Sequence, residues 1–379
     1  MYSLFSFAVL AYFFVEVCSM TKILFTHLLN NYTGSPKVLS TELRLLSQNS
    51  DFEISLLTSK TDGILSSLPN MRFYDNGYRW SNNRLALGIL FLYAQIRSFL
   101  FVLCHRYDVV YVNTLLPFGA AFAAKLRGEK IIYHVHEVYI KPNLFKRFSY
   151  FLMKKCADRI ICVSRYVQEH MSSCAERTCV IYNPIENHEV PCDVDSYLKK
   201  KFDGRMIFMP TSLKEYKGVN QFVELARMLP DYRFSLLCSV SLEEMQTYFS
   251  AVDLPENVTL IGKQNTLLEF YREAAVTMNL SLQDKCIETF GLTIAEGFDT
   301  LTPAVAPAFG GPKEIVMDGE NGFLVNPYDL EQVSSAIHAL FADFEVYRRF
   351  ALAAKKSVKR FDVNDFKENI LSEISEVIK

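Results

Sequence analysis

The sequence predicts an α/β protein built from two doubly wound domains in tandem, and three observations predict it. Short apolar runs alternate with longer stretches of helical periodicity along nearly the whole chain. Runs such as Asp108-Val109-Val110-Tyr111-Val112 and Lys130-Ile131-Ile132-Tyr133 are apolar at consecutive positions, which suits strands buried on both faces of a parallel sheet. The length, 379 residues, exceeds one ordinary core and suits two domains of roughly 150–200 residues each.

Residues 3–15 are almost wholly apolar until Glu16 interrupts them. The run is shorter than the ~20 residues a membrane span needs, and no Lys or Arg precedes it as a secretory signal would require. Residues 1–19 therefore read as an upstream extension, with a membrane anchor as the alternative. The first domain then covers 20–185. Its strands are Ile23 to Thr26, Glu53 to Thr58, Asp108 to Val112, Lys130 to Tyr133 and Arg159 to Ser164, with a helix from Lys37 to Gln48. Residues 85–103 are strongly apolar around Arg97, whose charge argues against a span. They read as a helix packed on the sheet or, alternatively, facing lipid. Residues 141–155 interleave five basic side chains with aromatics, which suits either a solvated helix or one lying on an anionic membrane.

Residues 186–204 are polar and broken and read as the interdomain linker. A second α/β cycle follows over 205–358. Its strands are Met206 to Met209, Arg233 to Cys238, Val258 to Ile261, Thr277 to Leu280, Thr302 to Ala306 and Gly322 to Val325. Helices are expected from Gly218 to Met228 and from Leu292 to Asp299. The tail, 359–379, is amphipathic, with Phe366, Ile370, Leu371, Ile374 and Ile378 at helical spacing. Two such domains suggest a ligand held in a cleft between them.

Bulk composition narrows the function. Half the residues are hydrophobic and the formal net charge is −2, so the molecule as a whole is no electrostatic nucleic-acid binder. Nine cysteines without a CxxC pair read as reduced thiols of a cytoplasmic protein. His134, His136 and Glu137 lack the second ligand pair that a metal site needs. Asp193-Val194-Asp195 has the form of a metal-binding Asp-x-Asp, but it falls in the linker and reads as coincidence.

The strongest chemical signal is Glu288-Thr289-Phe290-Gly291-Leu292-Thr293-Ile294-Ala295-Glu296. If a helix starts after Gly291, the amides of Phe290, Gly291 and Leu292 make a diphosphate site at its N-terminus. Glu288 then stands where it can accept from sugar hydroxyls. Glu296, one turn into the helix, can accept both hydroxyls of a ribose diol. Upstream, Lys214 and Lys217 lie in a strand–helix junction and can neutralise a diphosphate. Downstream, Gly310-Gly311-Pro312 permits a tight turn and close backbone approach.

The order Lys-Gly, Glu-x7-Glu with Phe-Gly, Gly-Gly-Pro and Asn321-Gly-Phe-Leu-Val resembles the large retaining glycosyltransferase family 4, of GT-B fold, in which two Rossmann-like domains face each other. The resemblance runs from Met20 nearly to the end. It implies that Glu288 contacts the donor sugar, Glu296 the ribose, and Lys217 the diphosphate. The family's arginine, five residues before that lysine, is Ser212 here, and Lys214 is the candidate replacement. Tyr32-Thr33-Gly34-Ser35-Pro36 resembles the family's glycine loop, so Gly34 joins the donor site. His134-Val135-His136-Glu137 resembles its histidine motif, so His136 would lie near the transferred sugar, with His134 as a strand residue. The resemblance further implies a nucleotide-sugar donor, a glycan or lipid-linked acceptor, no metal or other cofactor, and a final helix that returns to the N-terminal domain. Peripheral contact with the inner face of the membrane follows as an expectation from the 85–103 and 141–155 segments. A nucleotide-sugar epimerase and a donor-binding protein without catalysis are the rival readings, the latter resting on the missing arginine.

Overall fold

The computed structural model describes residues 20–66, 68–138, 142–285 and 287–379. The apolar N-terminal run, Lys141 at the head of the basic–aromatic stretch, and Cys286 lie outside the described residues. Strands β1 (Thr21–Thr26), β2 (Phe52–Thr58), β3 (Arg72–Asp75), β4 (Val109–Asn113), β5 (Lys130–Val135), β6 (Arg159–Cys162) and β7 (Thr178–Val180) form one sheet in the order β3-β2-β1-β4-β5-β6-β7. Strands β8 (Met206–Thr211), β9 (Arg233–Cys238), β10 (Val258–Ile261), β11 (Val276–Met278), β12 (Ala304–Pro307) and β13 (Gly322–Val325) form the other, ordered β10-β9-β8-β11-β12-β13. Pairing from β3 through β5 and throughout the second sheet is parallel. Each order reverses beside its first strand, between β1 and β4 and between β8 and β11. That is the doubly wound arrangement, which leaves a crevice at the carboxyl ends of the strands flanking the reversal.

The central strands are buried on both faces, as their continuous apolar runs require: Ile23, Leu24, Phe25 and every residue from Val109 to Val112 have no exposed surface. The helix Gly34–Leu46 begins three residues before the sequence-based start, directly on the glycine loop. The helix Leu292–Asp299 falls where it was expected.

By contacts the chain divides into two compact units. The first takes the described residues up to His134 together with Phe148–Ile160 and Leu371–Lys379; the second takes Val135–Arg147 and Ile161–Ile370. In the final helix, Val363–Ile378, the buried Phe366, Ile370 and Ile374 form the predicted stripe. Its end groups with the first unit, where the Arg159 guanidinium donates to Glu373 Oε1 at 3.0 Å.

The linker reading is corrected at one point: Val194–Gly204 is a helix of the second unit. Leu198 lies in the core with Ile207 and Tyr347. The Lys201 ammonium is buried and donates to the Thr300 carbonyl at 2.8 Å, the Tyr271 carbonyl at 3.1 Å and Thr302 Oγ1 at 2.5 Å. Burial holds its pKa well below the usual lysine range. The two aspartates of Asp193-Val194-Asp195 have structural partners. Asp193 accepts from the Ser196 amide at 3.0 Å as the helix cap, and Asp195 pairs with Arg348 at 2.5 Å.

His27, just after β1, is buried with Nδ1 3.0 Å from Asn113 Nδ2. Burial lowers its pKa from 6.5 to about 4, partly offset by backbone hydrogen bonds to Asn113 and Leu29. The unfolded chain therefore binds a proton between those values that the folded one refuses. Stability is full above pH 6.5 and falls on acidification toward pH 4, by about 3 kcal/mol for this group. Urea denaturation at pH 7 and pH 4.5 should show this loss in the native protein and a smaller one in His27→Gln.

Candidate active site

The reversal between β8 and β11 places two loops side by side. After Thr211 the chain runs through Ser212 to the 3-10 turn Glu215–Lys217 and then Gly218. Gly218 has φ +77°, and a Cβ there would sit 2.3 Å from the Leu280 carbonyl oxygen, so the turn requires glycine. After Met278 the chain runs from Asn279 to Gly291 before the helix Leu292–Asp299 begins.

The two loops meet through an ion pair. Lys217 Nζ lies 2.8 Å from Glu288 Oε2, both side chains largely buried. Burial alone would raise the Glu288 pKa. The Lys217 charge, with hydrogen bonds from Lys217, the Asn279 side chain and the Gly291 amide, outweighs it and holds the carboxyl below its usual range. Glu288 is thus a carboxylate at neutral pH, and it takes one of the helix-head amides that the sequence assigned to a diphosphate.

Backbone packing fixes this carboxylate. Gly291 has φ +106°, which turns the chain into the helix. Gly310 has φ +67°, and a Cβ there would lie 2.4 Å from the Glu288 carbonyl oxygen; a Cβ on Gly311 would lie 2.3 Å from that of Thr289. The Gly311 amide donates to the Glu288 carbonyl at 2.8 Å. Phe290 is buried against Tyr182 and Phe361, with ring centroids 6.1 and 5.3 Å away. Its ring is therefore core, and only its backbone is available to a ligand. Thr289 Oγ1 donates to the His136 carbonyl at 2.6 Å, which ties the residue after β5 to the Glu288 loop.

Glu296, half-buried on the helix, accepts from the Tyr271 hydroxyl at 2.8 Å. Tyr271 is buried, its ring edge-on to Phe208 at 5.2 Å, and its carbonyl receives the Lys201 ammonium. A buried polar chain thus fixes the orientation of Glu296. Tyr271→Phe removes one hydrogen bond to a carboxylate, worth about 1.5–3 kcal/mol at most. We expect a several-fold weaker nucleotide Kd, measured by titration calorimetry, with little change in Tm.

Lys217, Glu288, Phe290, Gly291, Leu292 and Glu296 thus gather on two neighbouring loops and one helix, with His136 reached through Thr289. Lys214 lies on the same loop as Lys217 but is exposed. Gly34 belongs to the first unit, where it heads its helix after β1 at the reversal of that sheet. No atom lies within 4 Å of its Cβ position, so packing does not demand a glycine there. Asn279, Thr289 and Tyr271 were missed. Asn279 lies inside the predicted strand Thr277 to Leu280 and Thr289 sits inside the motif, but Tyr271 stands in a stretch that carries no motif at all.

Comparison with known proteins decides the family. A model described as "Glycosyltransferase Family 4" matches residues 38–189, and one described as "Glycosyl transferases group 1" matches residues 196–357. The chain is a family 4 glycosyltransferase of GT-B fold. Among curated relatives, an exopolysaccharide phosphotransferase of Streptomyces coelicolor is 29% identical over 203 residues, 52% of this chain and 20% of that one. An uncharacterized glycosyltransferase of Methanocaldococcus jannaschii is 26% identical over 237 residues, 59% of this chain and 64% of that one. The matches thus span less than two thirds of these relatives' lengths. Among solved structures, Anabaena HepE in complex with UDP and glucose has a TM-score of 0.75 at 20% identity, covering 94% of this chain and 99% of that one. Sucrose-phosphate synthase from Thermosynechococcus elongatus has a TM-score of 0.77 at 17% identity, with the same coverage. These structural likenesses establish the fold of the glycosyltransferase.

Proposed function

We propose that the enzyme moves a hexosyl group from a nucleoside-diphosphate sugar to a glycan or lipid-linked glycan with retention of configuration. The setting is surface-polysaccharide assembly at the cytoplasmic face of the membrane, and no metal is needed. The observation that carries this reading is the Lys217–Glu288 pair at 2.8 Å, set at the head of the helix Leu292–Asp299 on the two loops that follow β8 and β11, where the strand order of the second sheet reverses.

In the reaction the acceptor hydroxyl oxygen bonds to the anomeric carbon while the bond from that carbon to the diphosphate oxygen breaks. The acceptor proton passes to the departing diphosphate. Negative charge therefore grows on the leaving group, and fixed cations and N–H dipoles stabilise it best. Lys217, with Lys214 on the same loop and amides at the helix head, supplies them. As Lys217 turns to the diphosphate, Glu288 exchanges that partner for a hydroxyl of the donor sugar and orients it. Glu296 takes the ribose diol. By the family resemblance His136 attends the transferred sugar and Gly34 the phosphate. HepE has been solved with UDP-glucose, which makes uridine diphosphate the first nucleotide to try.

Thermal unfolding with UDP, GDP, ADP and CMP, each with and without EDTA, tests the reading. One diphosphate should raise Tm by a few degrees through mass action, EDTA should not matter, and Glu296→Ala should abolish most of the shift. Stabilisation by none of them, or only with a metal, overturns it. Donor converted to an isomeric donor without an acceptor would favour an epimerase.

A further inference from the structure

The helix Arg84–Cys104 of the first unit is apolar on the face it turns outward. Its inward face carries Ala94, Gln95, Ser98 and Val102, all buried. Its outward face carries Leu85, Ile89, Leu92, Ile96 and Leu100, each between 51% and 76% exposed. The spacing of these five is that of a single helical stripe, roughly 22 Å long at 1.5 Å per residue. Contiguous apolar surface of this kind marks an interaction site.

Neighbouring helices extend the patch. The Phe99 and Phe122 rings stack at 5.8 Å, joining it to the helix Phe118–Arg127. The Phe118 and Phe148 rings meet at 5.3 Å, joining that helix to the part of the helix Asn143–Cys156 that runs from Phe148 to Cys156. Phe122, Leu126, Phe148 and Phe151 are exposed in turn, and Trp80, 63% exposed, stands just before the first helix.

Charge identifies the occupant. Across Arg84–Cys104, Phe118–Arg127 and Phe148–Cys156 there are six Lys and Arg and no Asp or Glu, in a chain where acids outnumber bases 42 to 40; of the six, Arg127 is paired with the largely buried side chain of Glu129 at 3.0 Å. A soluble protein partner would need only apolar complementarity. A surface that is apolar at its centre, cationic, free of acids and edged by tryptophan matches the interface of an anionic bilayer.

The helix is long and apolar enough to cross a membrane by length and composition, but its packing places it on one. It is the crossover from β3 to β4 in a parallel sheet. The Gln95 side chain accepts from the Gly119 amide at 2.9 Å, and a Cβ on Gly119 would lie 2.2 Å from the Gln95 carbonyl oxygen. Withdrawing it would break the domain.

We propose that this face docks the enzyme on anionic phospholipid, with the helix Arg84–Cys104 lying in the plane of the interface. The inference deepens the proposed setting by naming the surface and the lipid class, and it stands apart from the donor chemistry.

Trp80 is the chain's single tryptophan, so the full-length protein carries its own reporter. The test adds vesicles of phosphatidylcholine alone or with phosphatidylglycerol, with and without brominated acyl chains, and measures co-sedimentation and tryptophan emission. The expected result is binding to the anionic vesicles only, weaker in 0.5 M salt, with blue-shifted Trp80 emission that brominated lipid quenches. Leu92→Glu combined with Ile96→Glu should cut binding about tenfold, while circular dichroism and the nucleotide-induced rise in Tm stay as in the native protein. Three results would each overturn the proposal: no vesicle binding, binding with unchanged Trp80 emission, or equal binding by the double variant. A lipid-free dimer dissolved by the double variant would also overturn it and assign the face to a second copy. A missing nucleotide shift in both proteins bears on the donor reading alone.

Discussion

Lys217→Ala is expected to lower kcat/KM by about 10²–10³, the loss seen when one donor to a developing anion is removed. The variant changes two things at once. It deletes the cation proposed to face the leaving diphosphate, and it strips Glu288 of its 2.8 Å partner. With the lysine present, its charge and hydrogen bonds hold the Glu288 pKa below the usual range against the opposing effect of burial. Without it, burial is left opposed only by the Asn279 and Gly291 hydrogen bonds, so the pKa rises. If the ionised form orients the donor, as proposed, the residual activity should fall on acidification at a higher pH than in the native enzyme. A kcat/KM profile from pH 5 to 9 for the native protein, Lys217→Ala and Lys217→Arg checks this. Lys217→Arg should restore much of the acid limb, since it keeps the charge. It should restore less of the rate, because a planar fork replaces a compact ammonium. An acid limb that does not move would mean that Glu288 ionisation does not matter to transfer.

Much of this architecture was legible in the sequence, and the failures have physical causes. Val109–Asn113 and Lys130–Val135 were readable because a strand covered on both faces writes an unbroken apolar run. β3 and β7, Arg72–Asp75 and Thr178–Val180, went unread because they are the two edges of their sheet. They are short, have a neighbour on one side only, and carry polar residues that a periodicity search assigns to loops. The helix Val194–Gly204 was taken for linker because the stretch around it is polar and broken, with Pro191, Asp193 and Asp195 before a closing Asp203-Gly204. Lys201 is in fact buried, its charge met by three oxygen acceptors that lie 70 to 101 positions away. Folding pairs such groups across the chain, and local spacing holds no trace of it.

The site divides in the same way. Glu288, Glu296 and Lys217 could be singled out because a helix N-terminus imposes local order on its sequence: glycine at the turn, then the helix. Tyr271 was not found, since its bond to Glu296 spans 25 residues between separate elements. Thr289 reaches the His136 carbonyl across 153. The groups proposed to contact the donor therefore left a motif, whereas the groups that hold them in place are set by tertiary packing. The apolar stripe on Arg84–Cys104 was visible only as composition. Its outward direction needed the buried Gln95 and Ser98 to define which face is inside.

Beside Gly218→Ala, Gly310→Ala should be one of the most damaging small substitutions in the second unit. Two penalties coincide there. The backbone sits at φ +67°, where an L side chain costs about 1–2 kcal/mol. The new methyl would also stand 2.4 Å from the Glu288 carbonyl oxygen and 2.8 Å from the Ile287 Cγ2 methyl, and overpacking of that kind costs about 1–3 kcal/mol. A combined loss of about 2–5 kcal/mol follows. Gly319 separates the two terms. Its φ is +77° but nothing lies within 4 Å of its Cβ position, so Gly319→Ala should show the backbone penalty alone. Urea denaturation of both variants measures the difference. Activity provides the sharper distinction, because the atom that must yield in Gly310→Ala belongs to Glu288 itself. Relief of the clash moves the Glu288 loop away from Lys217, so the Gly310 variant should lose turnover even at temperatures where it remains folded. Gly319→Ala should keep native turnover until it unfolds. Equal turnover in the two folded variants would mean that the glycine pair serves stability only, and that the loop tolerates displacement without loss of the donor site.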